Sequence, residues 1–188
     1  MDTEFINLDS GNIASEHLCC IIRTQKAHPG VEAKRAWLAA RLDEGHVFRK
    51  VNAKGCAFIE YAPLETAWAP VVGDNYLYIY CLWVLGDLKG HGYGRQLMEY
   101  CLHDARVSGK SGVCMLGAAK QKAWLSNQAF ARKYGSRPPS KQAIAGPIRR
   151  SSLPSLRFSP NIWRSITSVV TRAFAPGARG TFFRLPNA

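Results

Sequence analysis

Leu88-Lys89-Gly90-His91-Gly92-Tyr93-Gly94-Arg95 sets three glycines at alternate positions between an apolar run and a run with helical spacing. A loop of this kind, at the point where a strand becomes a helix, presents backbone N–H groups beside the positive end of the helix dipole and so favours a phosphate. Glycine lets the backbone approach an anion closely and adopt conformations that other residues avoid. Lys89 and Arg95 place a full positive charge at each end. The alternative for such a stretch is a turn that packs a helix tightly on a sheet and binds nothing. A dinucleotide fingerprint does not fit, because Arg95 stands where its third glycine belongs and no acidic residue lies about 20 positions on. A P-loop does not fit either, since no Gly-Lys-Ser/Thr follows.

Outward from the loop, the pattern alternates between strands and helices. Upstream, YLYIYCLWV (residues 76–84) is apolar on both faces, as in a central strand. Downstream, Gly94, Leu97, Met98, Cys101, Leu102 and Ala105 form a helical stripe that ends at Gly109. GVCMLGA (residues 112–118) reads as another buried strand, and Ser126 as the cap of a short helix, NQAFARKY, stopping at Gly135. Toward the N-terminus, Phe5 to Leu8 is a short strand candidate, and the turn Asp9-Ser10-Gly11-Asn12 leads into a helix through IASEHLCCII. A second helix begins near Val31 after Pro29-Gly30, carries Trp37, Leu38 and Leu42 on its apolar side, and meets Gly45. HVFRKV and CAFIEYAPL flank Asn52-Ala53-Lys54-Gly55 as a hairpin. The order β-α-α-β-β-β-α-β-α predicts a mixed α/β fold with at least one parallel crossover.

Charge divides the chain of 188 residues in two. Its formal charge of +12 is concentrated after Gly135, where nine basic residues occur with no acidic one and seven of the ten prolines lie. Composition therefore separates a domain at 1–135 from a tail at 136–188. No apolar run reaches the roughly 18 residues of a membrane span, and MDTEFINLDS lacks the pattern of a signal peptide, so the expected location is cytoplasmic. The six cysteines contain no C-x-x-C pair and read as reduced, small hydrophobes. His17, His28, His46, His91 and His103 show no ligand spacing, so no metal is expected.

Lys89-x-x-Gly92-x-Gly94 matches the R/Q-x-x-G-x-G/A signature of the GNAT superfamily of acyl-CoA-dependent N-acyltransferases, with Lys in place of Arg or Gln. Its setting resembles the family too: the signature follows a fourth strand, with Val84 five residues before Lys89, and the later helix, strand and Ala-Arg-Lys-Tyr-Gly ending come in the family's order. EHLCC, GHVF, FIEY, AW.P, NYL, CLWV and KG.GYG are similar to the YoaP-like subgroup, so the resemblance covers about residues 5–135. It implies a mixed, mostly antiparallel sheet flanked by helices, and acetyl-CoA as acyl donor to an amine of a small molecule or peptide. The pyrophosphate would sit on the amides of Lys89, Gly90, His91, Gly92, Tyr93, Gly94 and Arg95. Pantetheine would pair with Trp83, Val84 and Leu85, and Asn127 would touch the cofactor or cap the last helix.

For proton transfer the match thins. The family's usual tyrosine, four positions before the glycine of the last helix, is here Ala131. Tyr134 is the nearest phenol, rotated by roughly 60° on the helix. Its alternative is a ring that packs at a helix end. Glu60, in FIEY, faces some substrate clefts of the family and would serve as base; the plainer expectation for it is a solvent-facing carboxylate on an alternating strand.

After Gly135 the family would continue with Phe and two more strands, whereas this chain continues SRPPSKQ with no comparable strand pattern. The tail then reads as a frameshift product, leaving GVCMLGA with open edges that favour self-association. The alternative is a functional tail. Arg149, Arg150, Arg157, Arg164 and Arg172 would meet phosphates, and Trp163, Ile166, Val170 and Phe174 fall at helical spacing. Sparse aromatic interleaving and the lack of a DNA- or RNA-binding motif argue against nucleic acid. Three functions stay open: the acyltransferase, a CoA-binding protein without turnover, and a basic interaction protein that binds nucleic acid or an anionic surface through its tail.

Overall fold

The computed structural model describes residues 4–20, 27–52, 56–69, 75–118, 126–127, 129–130, 133–134 and 179–184; Gly117, Ala118, Ser126, Asn127 and the last six are described by backbone alone. One sheet of seven strands organises them. β1 (Phe5–Asn7), β2 (Val47–Val51), β3 (Ala57–Pro63) and β4 (Tyr76–Val84) pair antiparallel in that order. β5 (Gly112–Ala118) joins β4 in parallel through the crossover helix α2 (Tyr93–Val107), and β6 (Ser126–Asn127) pairs β5 in parallel. Helix α1 (Pro29–Ala39) lies between β1 and β2 in sequence.

Alternation on the strands decides which side chains meet which helix. Ala57, Ile59, Tyr61, Leu77, Ile79 and Val113 point to one face and bury the stripe Leu97, Met98, Cys101, Leu102 and Ala105 of α2. Full burial of a side chain such as Leu97 or Met98 contributes roughly 2–3 kcal/mol. Phe48 and Phe58 point to the other face and pack with Leu8, Ile13, Leu18 and Leu38 of the α1 side. The hairpin, the central strand, the α2 stripe and the GVCMLGA strand thus stand where the sequence places them. Pro29 opens α1 at a position where the missing N–H costs nothing, and the turn after it (Leu42–Glu44) ends on Gly45 at φ 81°.

Three expectations are corrected. IASEHLCCII forms turns over its described residues instead of a helix. Asp9 Oδ1 accepts from the amides of Gly11 and Asn12, an Asx turn that competes with helix, and Arg35 donates to the carbonyls of Ile13 and Glu16. Ser126 does not cap a helix: with Asn127 it forms β6, against Gly117 and Ala118, and helical backbone is described only at Ala129–Phe130. The tail does supply a strand. β7 (Arg179–Arg184) pairs antiparallel with β5 from Gly112 to Gly117, so the outer edge of β5 is covered over those residues. Its run Thr181-Phe182-Phe183 has the β-forming residue types that the composition of the whole tail obscured. Ala131 and the amphipathic run from Trp163 to Phe174 lie outside the described residues.

Candidate active site

Two irregularities in β4 shape the centre of the sheet. Its register with β3 shifts between Glu60 and Tyr61, which oppose Cys81 and Ile79, so Tyr80 is the extra residue of a β-bulge. Its parallel pairing with β5 stops at Ile79 and Met115, although β4 continues to Val84 and β5 to Ala118. The two strands part beyond the bulge. β7 occupies the outer edge of β5 as far as Gly117, so Ser126, which also pairs Gly117, lies on the edge toward β4. The backbone of Asn127 thereby stands at the β5 wall of the opening.

The glycine loop closes the end of this opening. A single 3-10 turn, Gly86–Leu88, follows β4, and the chain enters α2 at Gly92, which caps the helix with its backbone at φ 81°. Gly90 is also left-handed, at φ 85°, which is why side chains are absent there. Gly94 packs beside Val84 and Phe130, and a Cβ there would stand at ordinary contact distances of 3.6 Å and 3.9 Å from them. The helix has no side-chain cap. The amides of Lys89 and Arg95 donate to the carbonyls of Gly86 and Gly92, so these two already have partners inside the loop. Lys89 and His91 are exposed, and Arg95, also exposed, pairs with Glu99 at 2.9 Å.

Tyr134 is brought to this loop. Its ring lies 5.3 Å from that of Phe130, which in turn faces Gly94. Partial burial, then the Glu99 carboxylate, raise its pKa above 10.0 and keep the phenol protonated.

Glu60 is not solvent-facing. It is 3% exposed, on the α1 face of β3 opposite Cys81. Lys34 Nζ donates to Oε2 at 2.6 Å and His46 Nε2 donates to Oε1 at 3.2 Å. Because a carboxylate only accepts, His46 must carry its proton on Nε2. Burial alone would raise the carboxyl pKa, but Lys34 and then His46 outweigh it and hold Glu60 below the usual value. Lys34 responds oppositely: burial would lower its pKa, and the Glu60 charge overcomes this and raises it. The group is walled by aromatic rings. The ring of His46 stacks on Tyr80 at 5.0 Å and meets Trp37 edge-on at 5.1 Å, while Lys34 Nζ lies 5.3 Å from the centre of Phe48. Trp83 Nε1, buried on the strand beyond the bulge, has no hydrogen-bond partner among the described residues.

Cys20 and Cys81 belong to the same face. Both are half-buried against the α1-side core. Lys34, His46, Cys20 and Cys81 were missed in the sequence. One signal was present: FIEY has apolar neighbours on both sides of Glu60, so a carboxylate there needs a cation from another element.

Among the described residues there is no cluster of three metal-ligating side chains, and no helix is long and apolar enough to cross a membrane.

A mixed sheet whose fourth strand bulges, parts from the fifth and ends in a glycine loop on a helix N-terminus has the layout of an acyltransferase domain. Residues 14–135 match the family described as Acetyltransferase (GNAT) family, and the chain belongs to it. It is 36% identical over 131 residues to the "Uncharacterized N-acetyltransferase YoaP" of Bacillus subtilis (strain 168), an alignment covering 70% of this chain and 52% of that protein. The chain thus spans about half the length of this relative. Among solved structures, a putative GNAT-family acetyltransferase from Desulfovibrio desulfuricans superposes with a TM-score of 0.51 at 15% identity, over 73% of this chain and 87% of that one. N-acetylglutamate synthase from Neisseria gonorrhoeae, complexed with coenzyme A and L-arginine, superposes with a TM-score of 0.50 at 16% identity, over 98% of this chain and 34% of that one. These two likenesses concern the fold.

Proposed function

We propose that the chain transfers an acetyl group from acetyl-CoA to an amine of a small molecule or peptide, by direct attack within a ternary complex. The observation that carries this reading is the parting of β4 from β5 beyond Ile79, with the glycine loop and the α2 N-terminus at its end. In this proposal pantetheine lies along Trp83, Val84 and Leu85 as an added strand, and the pyrophosphate rests on the loop from Lys89 to Arg95. The helix dipole and the exposed Lys89 then favour its negative charge. Asn127 borders the thioester from the β5 side.

The amine approaches from the α1 face, where the bulge at Tyr80 re-aims the backbone of β4 so that an N–H can stabilise the oxyanion. Glu60 has one oxygen committed to Lys34 and one to His46, so it acts as a positioning residue and takes up the acceptor's proton only through these partners or water. Tyr134, held protonated, donates to the departing thiolate. Holding the two reactants together supplies most of the rate, as expected for a direct transfer. The Neisseria relative crystallised with coenzyme A lends the donor half of this reading its support.

The test is release of free thiol from acetyl-CoA against a panel of amines, amino acids and short peptides. Turnover with an amine, lost in Gly92→Asp and slowed about tenfold or more in Tyr134→Phe, supports the proposal. Binding of acetyl-CoA without thiol release from any acceptor contradicts it.

A further inference from the structure

We propose that the indole N–H of Trp83 selects the acceptor, by donating to a neutral carbonyl oxygen that stands a few bonds from the reacting amine, as in an amino amide or a peptide N-terminus. This rests on the acyltransferase reading above and names the substrate class of the same site. The observation behind it is a donor without a partner. Two buried side-chain nitrogens among the described residues make no hydrogen bond, Arg41 Nε and Trp83 Nε1. The Arg41 guanidinium still pairs with Glu44 at 3.1 Å and lies over the Trp68 ring, so that group has a polar partner. Trp83 has none among the described residues: an indole nitrogen only donates, and its single N–H is shut off from solvent. A buried indole N–H ordinarily finds an oxygen, and an orphaned one is a reason to look for a ligand.

Its place in the fold says which ligand. Along β4 the residues before the bulge, Leu77 to Ile79, are buried, whereas those from Tyr80 to Val84, where β5 no longer pairs with the strand, are half-buried. Trp83 therefore sits in the open half of β4, with its side chain on the α1 face at the edge of the core that contains Phe48 and Phe58. Phe58 is its cross-strand partner on β3. The same two rings carry Lys34, whose Nζ lies 5.3 Å from the centre of Phe48 and 6.0 Å from that of Phe58. A charged donor and a neutral one thus border a single ring, in the part of the sheet that the thioester would reach.

Charge decides between a carboxylate and a carbonyl. Lys34 is bound to the Glu60 carboxylate at 2.6 Å, so its charge is offset on this face. A free carboxylate brought to Trp83 would lose its water and meet the Glu60 charge, with only an already paired cation to oppose it. A neutral carbonyl oxygen accepts from Nε1 without that cost. Because the backbone of Trp83 also borders the proposed path of pantetheine, the carbonyl and the attacked thioester are neighbours, which keeps the carbonyl within a few bonds of the amine. An amine that lacks the oxygen leaves the N–H orphaned in the complex, the circumstance in which an enzyme discriminates by hydrogen bonding.

Phenylalaninamide and phenethylamine share an aryl body and an amine and differ in the carbonyl. Thiol release from saturating acetyl-CoA would be measured with both, in the parent and in Trp83→Phe, which keeps a ring and removes the donor. The expected result is a preference for phenylalaninamide in kcat/KM that falls about tenfold or more in the variant, chiefly through KM. Comparing the preference in the two proteins cancels the different basicity of the amines and any effect of the variant on donor binding. A second readout needs neither the variant nor turnover. In assigned heteronuclear NMR spectra of the parent, the indole signal of Trp83, one of five tryptophans, should move downfield with phenylalaninamide and stay in place with phenethylamine. A preference unchanged in the variant, or a Trp83 signal indifferent to phenylalaninamide, would overturn the inference, while thiol release leaves the acyltransferase reading standing. Thiol release from no amine would overturn both.

Discussion

The two faces of the sheet are built on different principles. On the α2 face, Ile59, Ile79, Val113 and the stripe of α2 exclude water almost completely, and the Tyr61 hydroxyl within it donates to Asp104 at 2.8 Å near the surface. On the α1 face, the same strands carry a buried carboxylate with a lysine and a histidine around it, and the half-buried thiol of Cys81. One face spends its residues on holding α2, and therefore the glycine loop, at a fixed place. The other accepts desolvated charge, which a fold retains at a cost and for a reason beyond packing. The strand between them, β4, serves both through its bulge: Leu82 and Val84 turn to α2, Cys81 and Trp83 to α1.

Substitutions can break this contrast. Leu97→Ala, on the apolar face, removes a fully buried side chain and should cost about 3–5 kcal/mol in denaturant unfolding. Glu60→Ala, on the other, strands Lys34 and His46 and should cost about 3 kcal/mol, at the low end for a broken buried pair because the Lys34 side chain keeps 28% of its exposure. A cost below that of an exposed pair would mean that the buried group contributes nothing to the fold.

The same pair sets a pH window. Glu60 titrates below the ordinary 4.5, so its stabilisation is complete above that value and is lost as pH falls through the folded pKa. Lys34 titrates above 10.5, so its stabilisation is complete below that value and is lost as pH rises through the folded pKa. The gap in melting temperature between the parent and Glu60→Gln should therefore be level between these limits and close at both ends. A gap that changes between these limits would contradict the assignment to Glu60 and Lys34. Smaller effects complete the series. Tyr61→Phe should cost about 1.5 kcal/mol for its hydrogen bond to the half-buried Asp104 carboxylate. Arg95→Ala breaks only an exposed pair with Glu99 and should change stability by less than about 0.5 kcal/mol.

How much of this was legible depended on whether the information was local. The α2 stripe, β5 and the hairpin rest on periodicity and turn chemistry that each segment carries by itself. The glycine loop was legible for the same reason, since left-handed positions at Gly90 and Gly92 select the residue type directly. Residues 13–20 misled because the turn Asp9-Ser10-Gly11-Asn12 has the residue types of a helix start, while Asp9 and the distant Arg35 offer the backbone other partners. The Glu60 group could not be read off one segment: its cation comes from α1 and its histidine from β2's entrance. β7 is a third case, because a strand's pairing partner, here β5, is set by the rest of the sheet.

The central claim is that the parted strands and the loop bind the donor. Calorimetric titration of the parent and of Gly92→Asp with acetyl-CoA tests it most directly, with far-ultraviolet circular dichroism to show that both are folded. The account predicts saturable binding by the parent, weakened about a hundredfold or more by a carboxylate set against the phosphates at the α2 N-terminus. Equal affinity in the two proteins, or no binding by a folded parent, would contradict it.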